Sequence, residues 1–189
     1  MRALRFRKPG LFLASLALIR FAGISRAQEF LPTPPDDQAL VYVLDDQNKL
    51  VPLSFEKGKT PLHPAQIASE TKVSYIELSG EHSPTILKTS LPRWFLFTNQ
   101  GPGRHPPFFV RLTAHHGARR VTAIAQRGLG GFAISSDEII KPFLRVLRIL
   151  SANQVFMELR PRVSLIPGEY AIIGEDLDRI ATFRIVADR

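Results

Sequence analysis

Cysteine is absent from all 189 residues. Its absence excludes disulfide staples, a thiol nucleophile and lipid attachment through a thiol, so the fold must hold by packing alone. A Gly-x-Ser-x-Gly elbow is also missing, so no serine stands at the strained turn that exposes a hydrolase nucleophile. Ser83 follows His82, but this adjacency alone names no reaction. Gly128, Gly130 and Gly131 are not followed by a Lys-Ser/Thr pair, which excludes the usual phosphate cradle and leaves a flexible connection over Arg127 to Gly131. No motif implies a cofactor or a catalytic residue.

Acidic residues are missing from the first 27 positions, while Arg2, Arg5, Arg7 and Lys8 crowd the start. An apolar run from Leu11 to Ile19 follows, and Ser25 and Ala27 then supply small residues at an exit site. A charged start, a short apolar core and a small-residue exit are the three parts of a secretory signal. A membrane-spanning helix needs about 20 apolar residues, and Arg20 ends this run well before that. A mitochondrial presequence is also Arg-rich and acid-free, but it is amphipathic, whereas this run is apolar all round. The reading is a signal peptide over 1–27, cleaved before Gln28, with no stable membrane anchor after cleavage. The mature chain is then periplasmic or extracellular.

Cleavage changes the charge. The chain has 25 Lys+Arg and 17 Asp+Glu. Six of the basic residues leave with the signal and no acid does, so 19 face 17 in the mature chain. The high isoelectric point is therefore largely a targeting feature and not a nucleic-acid footprint, which needs a basic patch on the folded domain.

Residues 28–38 carry Pro32, Pro34 and Pro35 and read as a Pro-rich leader, a linker or loose arm. The remainder, 39–189, reads as a single β domain. Short apolar runs alternate with turn signals. The expected strands are Leu40–Leu44, Leu50–Phe55, Lys72–Leu78, Thr85–Lys88, Arg93–Thr98, Phe108–Ala114, Arg120–Gln126, Phe143–Leu150, Gln154–Arg160, Glu169–Ile173 and Ala181–Val186. His115 to Arg119 reads as a hairpin turn in which Gly117 takes positive φ. Ser135 with Glu138 resembles a helix capping box. Pro142 would then break that helix, so a turn to Lys141 and a strand after it are preferred. Some ten closely spaced strands without a βα rhythm predict a mostly-β antiparallel sandwich, with a partly open barrel as the alternative.

The most patterned stretch is Leu165-Ile166-Pro167-Gly168-Glu169-Tyr170-Ala171, in which Pro then Gly predicts a type II turn running straight into a strand. It resembles the penultimate strand of uncharacterised exported bacterial β-sandwich-like proteins with a Pro-Gly-Glu-Tyr-Ala motif. The resemblance covers about twenty residues, implies the sandwich fold and brings no catalytic residue with it. Tyr170 and Ile172 would share one face and Ala171 and Ile173 the other, with the Tyr170 ring buried beneath the corner and its hydroxyl tied to nearby backbone.

Three constellations carry functional readings. His115 and His116 are the weak metal candidates, since a turn lets adjacent histidines converge, with Asp137 and Glu138 to complete the set. The plainer reading is a solvated hairpin tip. Trp94 and Leu96 face one way and Phe95 and Phe97 the other, so both faces of that strand are apolar. Burial under a loop such as Asn99 to Pro107 accounts for this. An exposed Trp94, Phe95 and Phe97 patch would instead bind a partner or complete an assembly. Arg119 and Arg120 are expected to be solvated near the hairpin tip. The function expected is an exported, non-enzymatic domain with a binding or structural role in the cell envelope, its partner an envelope protein or polymer. The alternative is an envelope hydrolase or metal-dependent enzyme using the His115/His116 turn.

Overall fold

A computed structural model describes residues 30–60, 73–99, 106–125 and 132–187. The signal peptide expected over 1–27 and the Gly-rich connection at 127–131 lie outside the described residues. Thirteen strands are found among the described residues, and no helix. They are β1 (Val41–Leu44), β2 (Leu50–Pro52), β3 (Phe55–Glu56), β4 (Val73–Ser79), β5 (Ile86–Leu87), β6 (Trp94–Asn99), β7 (Phe108–His115), β8 (Ala118–Ala125), β9 (Phe132–Ile134), β10 (Pro142–Ile149), β11 (Gln154–Pro161), β12 (Gly168–Ile173) and β13 (Ile180–Ile185). The protein is the expected mostly-β sandwich, and the described strands form no closed barrel.

The first sheet has the order β10-β11-β6-β1-β2, and the second runs β3-β13-β12-β7-β8-β4 with β5 on β13 and β9 on β8. Every ladder is antiparallel except the short parallel pairing of β5 with β13. The expected single strand Leu50–Phe55 is two strands. The chain pairs with β1 as far as Pro52, crosses at Leu53 and Ser54, and joins the other sheet at Phe55. Leu53, buried at the crossing, plugs the core between the sheets.

Alternation of side chains fixes both cores. Trp94, Leu96, Met157 and Leu159 from the first sheet meet Phe109, Tyr170, Ile172, Phe183 and Ile185 from the second. Trp94 sits at the centre, 5.0 Å from the Phe109 ring and 4.8 Å from that of Phe183. The opposite face of the second sheet carries Val110, Leu112, Val121, Ala123, Ala171, Ile173, Ile76 and Leu78. That face would be wet in a flat sandwich. Here the sheet curls over it, bringing β4 back towards β3 until Lys59 and Glu77 exchange backbone hydrogen bonds of 2.8 Å. This is a single bridge, not a ladder. The approach is close at Gly58, where an added Cβ would stand 2.6 Å from Ile180 Cδ1.

The expected type II turn at Pro167-Gly168 does not form, because Gly168 is not at positive φ and instead opens β12 as extended backbone; the expected placing of Tyr170 does hold. Tyr170 is buried, its ring stacks on Phe183 at 5.6 Å, and its hydroxyl donates to the Ile166 carbonyl at 2.7 Å. The β7–β8 hairpin closes through His116 and Gly117, both at positive φ (47° and 77°), which is the backbone of a type I′ turn. Between Ser135 and Leu150 the chain makes a turn and then the edge strand β10, with Pro142 as its first residue, where a missing N–H does least harm.

Candidate functional site

The His115/His116 pair is not brought together with Asp137 and Glu138. The two rings meet nearly edge-on, 4.2 Å between centroids, at the exposed tip of the hairpin. Partial loss of solvent, followed by the positive Arg120 and then His116, holds the His115 imidazole below the ordinary histidine range. Glu138 is occupied elsewhere, its carboxylate accepting the Thr122 N–H at 2.5 Å, and Asp137 accepts the Ser136 hydroxyl. Among the described residues no cluster of three or more His, Asp or Glu is placed to hold a metal ion.

Trp94 and Phe95 are fully buried and offer no surface to a ligand, while Phe97 is half-buried. Trp94 belongs to the core between the sheets. Phe95 belongs to a smaller cluster on the outer face of the first sheet with Tyr42 and Phe156. The described part of the leader reaches this face at two points. Arg93 lies over the Phe95 ring at 5.4 Å and donates to the Phe30 carbonyl, and the Tyr42 hydroxyl donates to the Asp37 carbonyl. Pro32 is buried. The leader is thus anchored rather than loose over these residues. Phe97 lines a cleft of about 320 Å³ whose charged members are Glu175, Asp176 and Arg179, with no histidine among its lining residues.

Arg119 corrects the expectation of solvation. It is fully buried, because it shares the inward face of β8 with Val121 and Ala123 and pairs across to Leu78. Its guanidinium donates to the Gly80 and Ser79 carbonyls at 2.9 Å each and to Glu56 at 2.7 Å, and lies 3.7 Å from Glu169. Glu56 also accepts the Thr182 hydroxyl, which in turn meets Ser83 Oγ at 2.9 Å. Glu169 accepts the Ser83 N–H at 2.8 Å and pairs with the exposed His82 ring at 3.0 Å. Ser83 and His82 are therefore joined through Glu169, but the serine hydroxyl turns to Thr182 and is buried. This network fastens the loop after β4 onto β3, β12 and β13. Arg120, the neighbour on the other face, lies over the Tyr75 ring at 5.6 Å.

The surface with the strongest chemical character is one that sequence reading treated only as strands. β10 is a terminal strand of the first sheet, with β11 as its neighbour. Leu144, Val146 and Ile149 lie opposite Leu159, Met157 and Val155, so they share the face that elsewhere forms the core. Yet they are 37%, 46% and 74% exposed. β10 overhangs the opposing sheet. Its other face carries Phe143, Arg145 and Arg148, opposite Arg160, Glu158 and Phe156. From 141 to 162 the basic residues are Lys141, Arg145, Arg148, Arg160 and Arg162, and the sole acid is Glu158. Glu158 is fully buried, 2.5 Å from Arg93 and 3.9 Å from Arg160, so its charge is turned inward. Arg160 also stacks over Phe143 at 4.8 Å. An open depression of about 590 Å³ at the start of the strand is lined by Leu91, Arg93, Phe143, Arg160, Pro161 and Arg162. The signal was present in the sequence as a basic run without surface acids. It stayed hidden because the total charge of residues 28–189 is near balance.

No known protein family, no curated protein and no solved structure matches this chain.

Proposed function

We propose that this protein is an exported, non-enzymatic β domain that binds a component of the cell envelope. The observation that carries the reading is the β10–β11 edge. It combines an exposed apolar row, Leu144, Val146 and Ile149, with a concentration of positive charge at Arg148, Arg160 and Arg162. Exposed apolar surface rimmed by charge is the mark of an interaction site. The charged start and short apolar run at the N-terminus support export, and the resemblance of the Pro-Gly-Glu-Tyr-Ala stretch to exported bacterial proteins is in keeping with it.

The test is made in cells that express the full chain. Mature protein should be released from the cytoplasm and begin at Gln28. A photo-crosslinking residue at Ile149 should then trap an envelope component that the same residue at the exposed turn position Asp46 does not. An uncleaved Met1 start in the cytosol, or identical products at both positions, overturns the proposal.

A further inference from the structure

We infer that β10 is a docking edge for an extended segment of a partner protein, which adds to the first sheet as a further strand with alternating apolar and acidic residues. The inference rests on the binding reading above and names the chemistry of the partner. A terminal strand turns half of its backbone donors and acceptors away from its sheet, and an added strand satisfies them. β10 is eight residues long, the longest class of strand among those described here, and its far side has no strand neighbour among the described residues.

The two faces of β10 dictate the pattern of the occupant. On the overhanging face, Leu144, Val146 and Ile149 have neighbours from β11 on one side only. An incoming strand would cover their other side with apolar residues. On the opposite face, Arg145 stands directly across from buried Glu158, while Arg148 is exposed beside Phe156. A carboxylate opposite Arg148 gives a favourable cross-strand pair, and a lysine there an unfavourable one. Because strand side chains alternate with a period of two, apolar residues on one face and acids on the other make an alternating segment.

Charge argues against a second copy as the occupant. Two β10 edges would bring two sets of basic residues together with no surface acid between them. The edge also carries Pro142 at its start and a register shift between Val146 and Arg148. Both features shorten the run open to any added strand, so charge is what separates a partner from a copy. An edge guarded against its own kind but left apolar suits a partner of opposite charge.

The experiment uses the purified protein and fluorescein-labelled peptides matched to the length of β10, read by fluorescence anisotropy. The peptides are alternating Val-Glu, alternating Val-Lys, a block peptide with all Val before all Glu, and Val-Glu with every second amide N-methylated. Alternating Val-Glu should bind at least about tenfold more tightly than the block peptide and the N-methylated form. Arg148→Glu should weaken Val-Glu about tenfold and strengthen Val-Lys. Ile149→Asn, at a residue exposed enough to leave folding unchanged, should weaken Val-Glu through the apolar face. Equal affinity for alternating and block peptides, or insensitivity to N-methylation, would reduce the site to charge attraction and overturn strand addition. Binding to phosphatidylglycerol vesicles with no peptide binding would also overturn it, in favour of a membrane surface. A null result with peptides sinks this inference alone, whereas a chain retained uncleaved in the cytosol sinks the export reading alone.

Discussion

Tyr170 concentrates several forces on one side chain. Its ring is buried against Phe183 and Phe109, and its hydroxyl closes the Pro-Gly corner on the Ile166 carbonyl. Ring burial is the larger contribution, so Tyr170→Ala should cost about 3–5 kcal/mol, as buried aromatic truncations do. Tyr170→Phe keeps the ring and should cost about 1 kcal/mol, the worth of one hydrogen bond. Denaturant melts of both variants check this, and a cost below about 1 kcal/mol for the alanine variant would deny the corner its role. Burial pushes the Tyr170 phenol above its ordinary value, with nearby Arg111 pulling the other way. The folded state therefore holds this proton more tightly than the unfolded chain does. The resulting stability is complete below the unfolded pKa of about 10 and is lost as pH rises through the folded value. Tyr170→Phe should accordingly show a shallower decline in stability above about pH 10. This residue was legible beforehand because its strand and its facing follow from local sequence, although the type II turn expected before it is replaced by extended backbone at Gly168. Arg119 was not. A charge beside a hairpin tip reads as solvated, and only the arrival of Glu56 and Glu169 from distant strands makes its burial tolerable. The period-two pattern did contain a hint, since Arg119, Val121 and Ala123 share a face.

At the scale of elements, the strands were readable wherever a run of alternating or continuous apolar residues met turn chemistry. The turn-then-strand reading of Ser135 to Leu150 followed from Pro142 alone. The crossing at Leu53 was not readable, because nothing local distinguishes a strand that continues from one that changes sheets. The overhang of β10 was equally hidden, since Leu144, Val146 and Ile149 look like ordinary core residues until the extent of the opposing sheet is known. The β7–β8 hairpin gives a test of turn chemistry. A type I′ turn needs positive φ at both central residues, which favours Asn followed by Gly. His116 holds φ at 47° with a Cβ present. Replacing it by Asn should therefore raise stability by several tenths to about 1 kcal/mol, and Gly117→Ala should lower it by about 1–2 kcal/mol. Chemical denaturation measures both. A loss on His116→Asn would show that the packed His115/His116 ring pair contributes more than the strain of the turn costs.

Across the whole molecule, the second sheet must hold its curl as well as its packing on the first. Hydrophobic burial of Ile76, Leu78, Val121 and Ile180 favours closure but fixes no particular register. Arg119 supplies direction. From β8 it reaches the carbonyls of Ser79 and Gly80 at the end of β4, Glu56 on β3 and Glu169 on β12, so the two ends of the curled sheet share one buried guanidinium. Removing the arginine alone leaves the largely buried Glu56 and Glu169 without the cation they share, with His82 and Arg184 still beside Glu169. Breaking a buried ion pair from one side costs about 3–5 kcal/mol, whereas replacing the whole set by neutral groups costs far less. Arg119→Met should therefore be strongly destabilising. Arg119→Lys should recover only part of the loss, because an ammonium cannot span the same fork of acceptors. The triple variant Arg119→Met, Glu56→Gln, Glu169→Gln should be more stable than Arg119→Met by at least about 1 kcal/mol, a non-additive recovery that only directly coupled groups produce. Equilibrium unfolding of the four proteins decides it. A triple variant no better than the single one would mean that the carboxylates are well solvated without Arg119, and that the apolar residues alone set the curl.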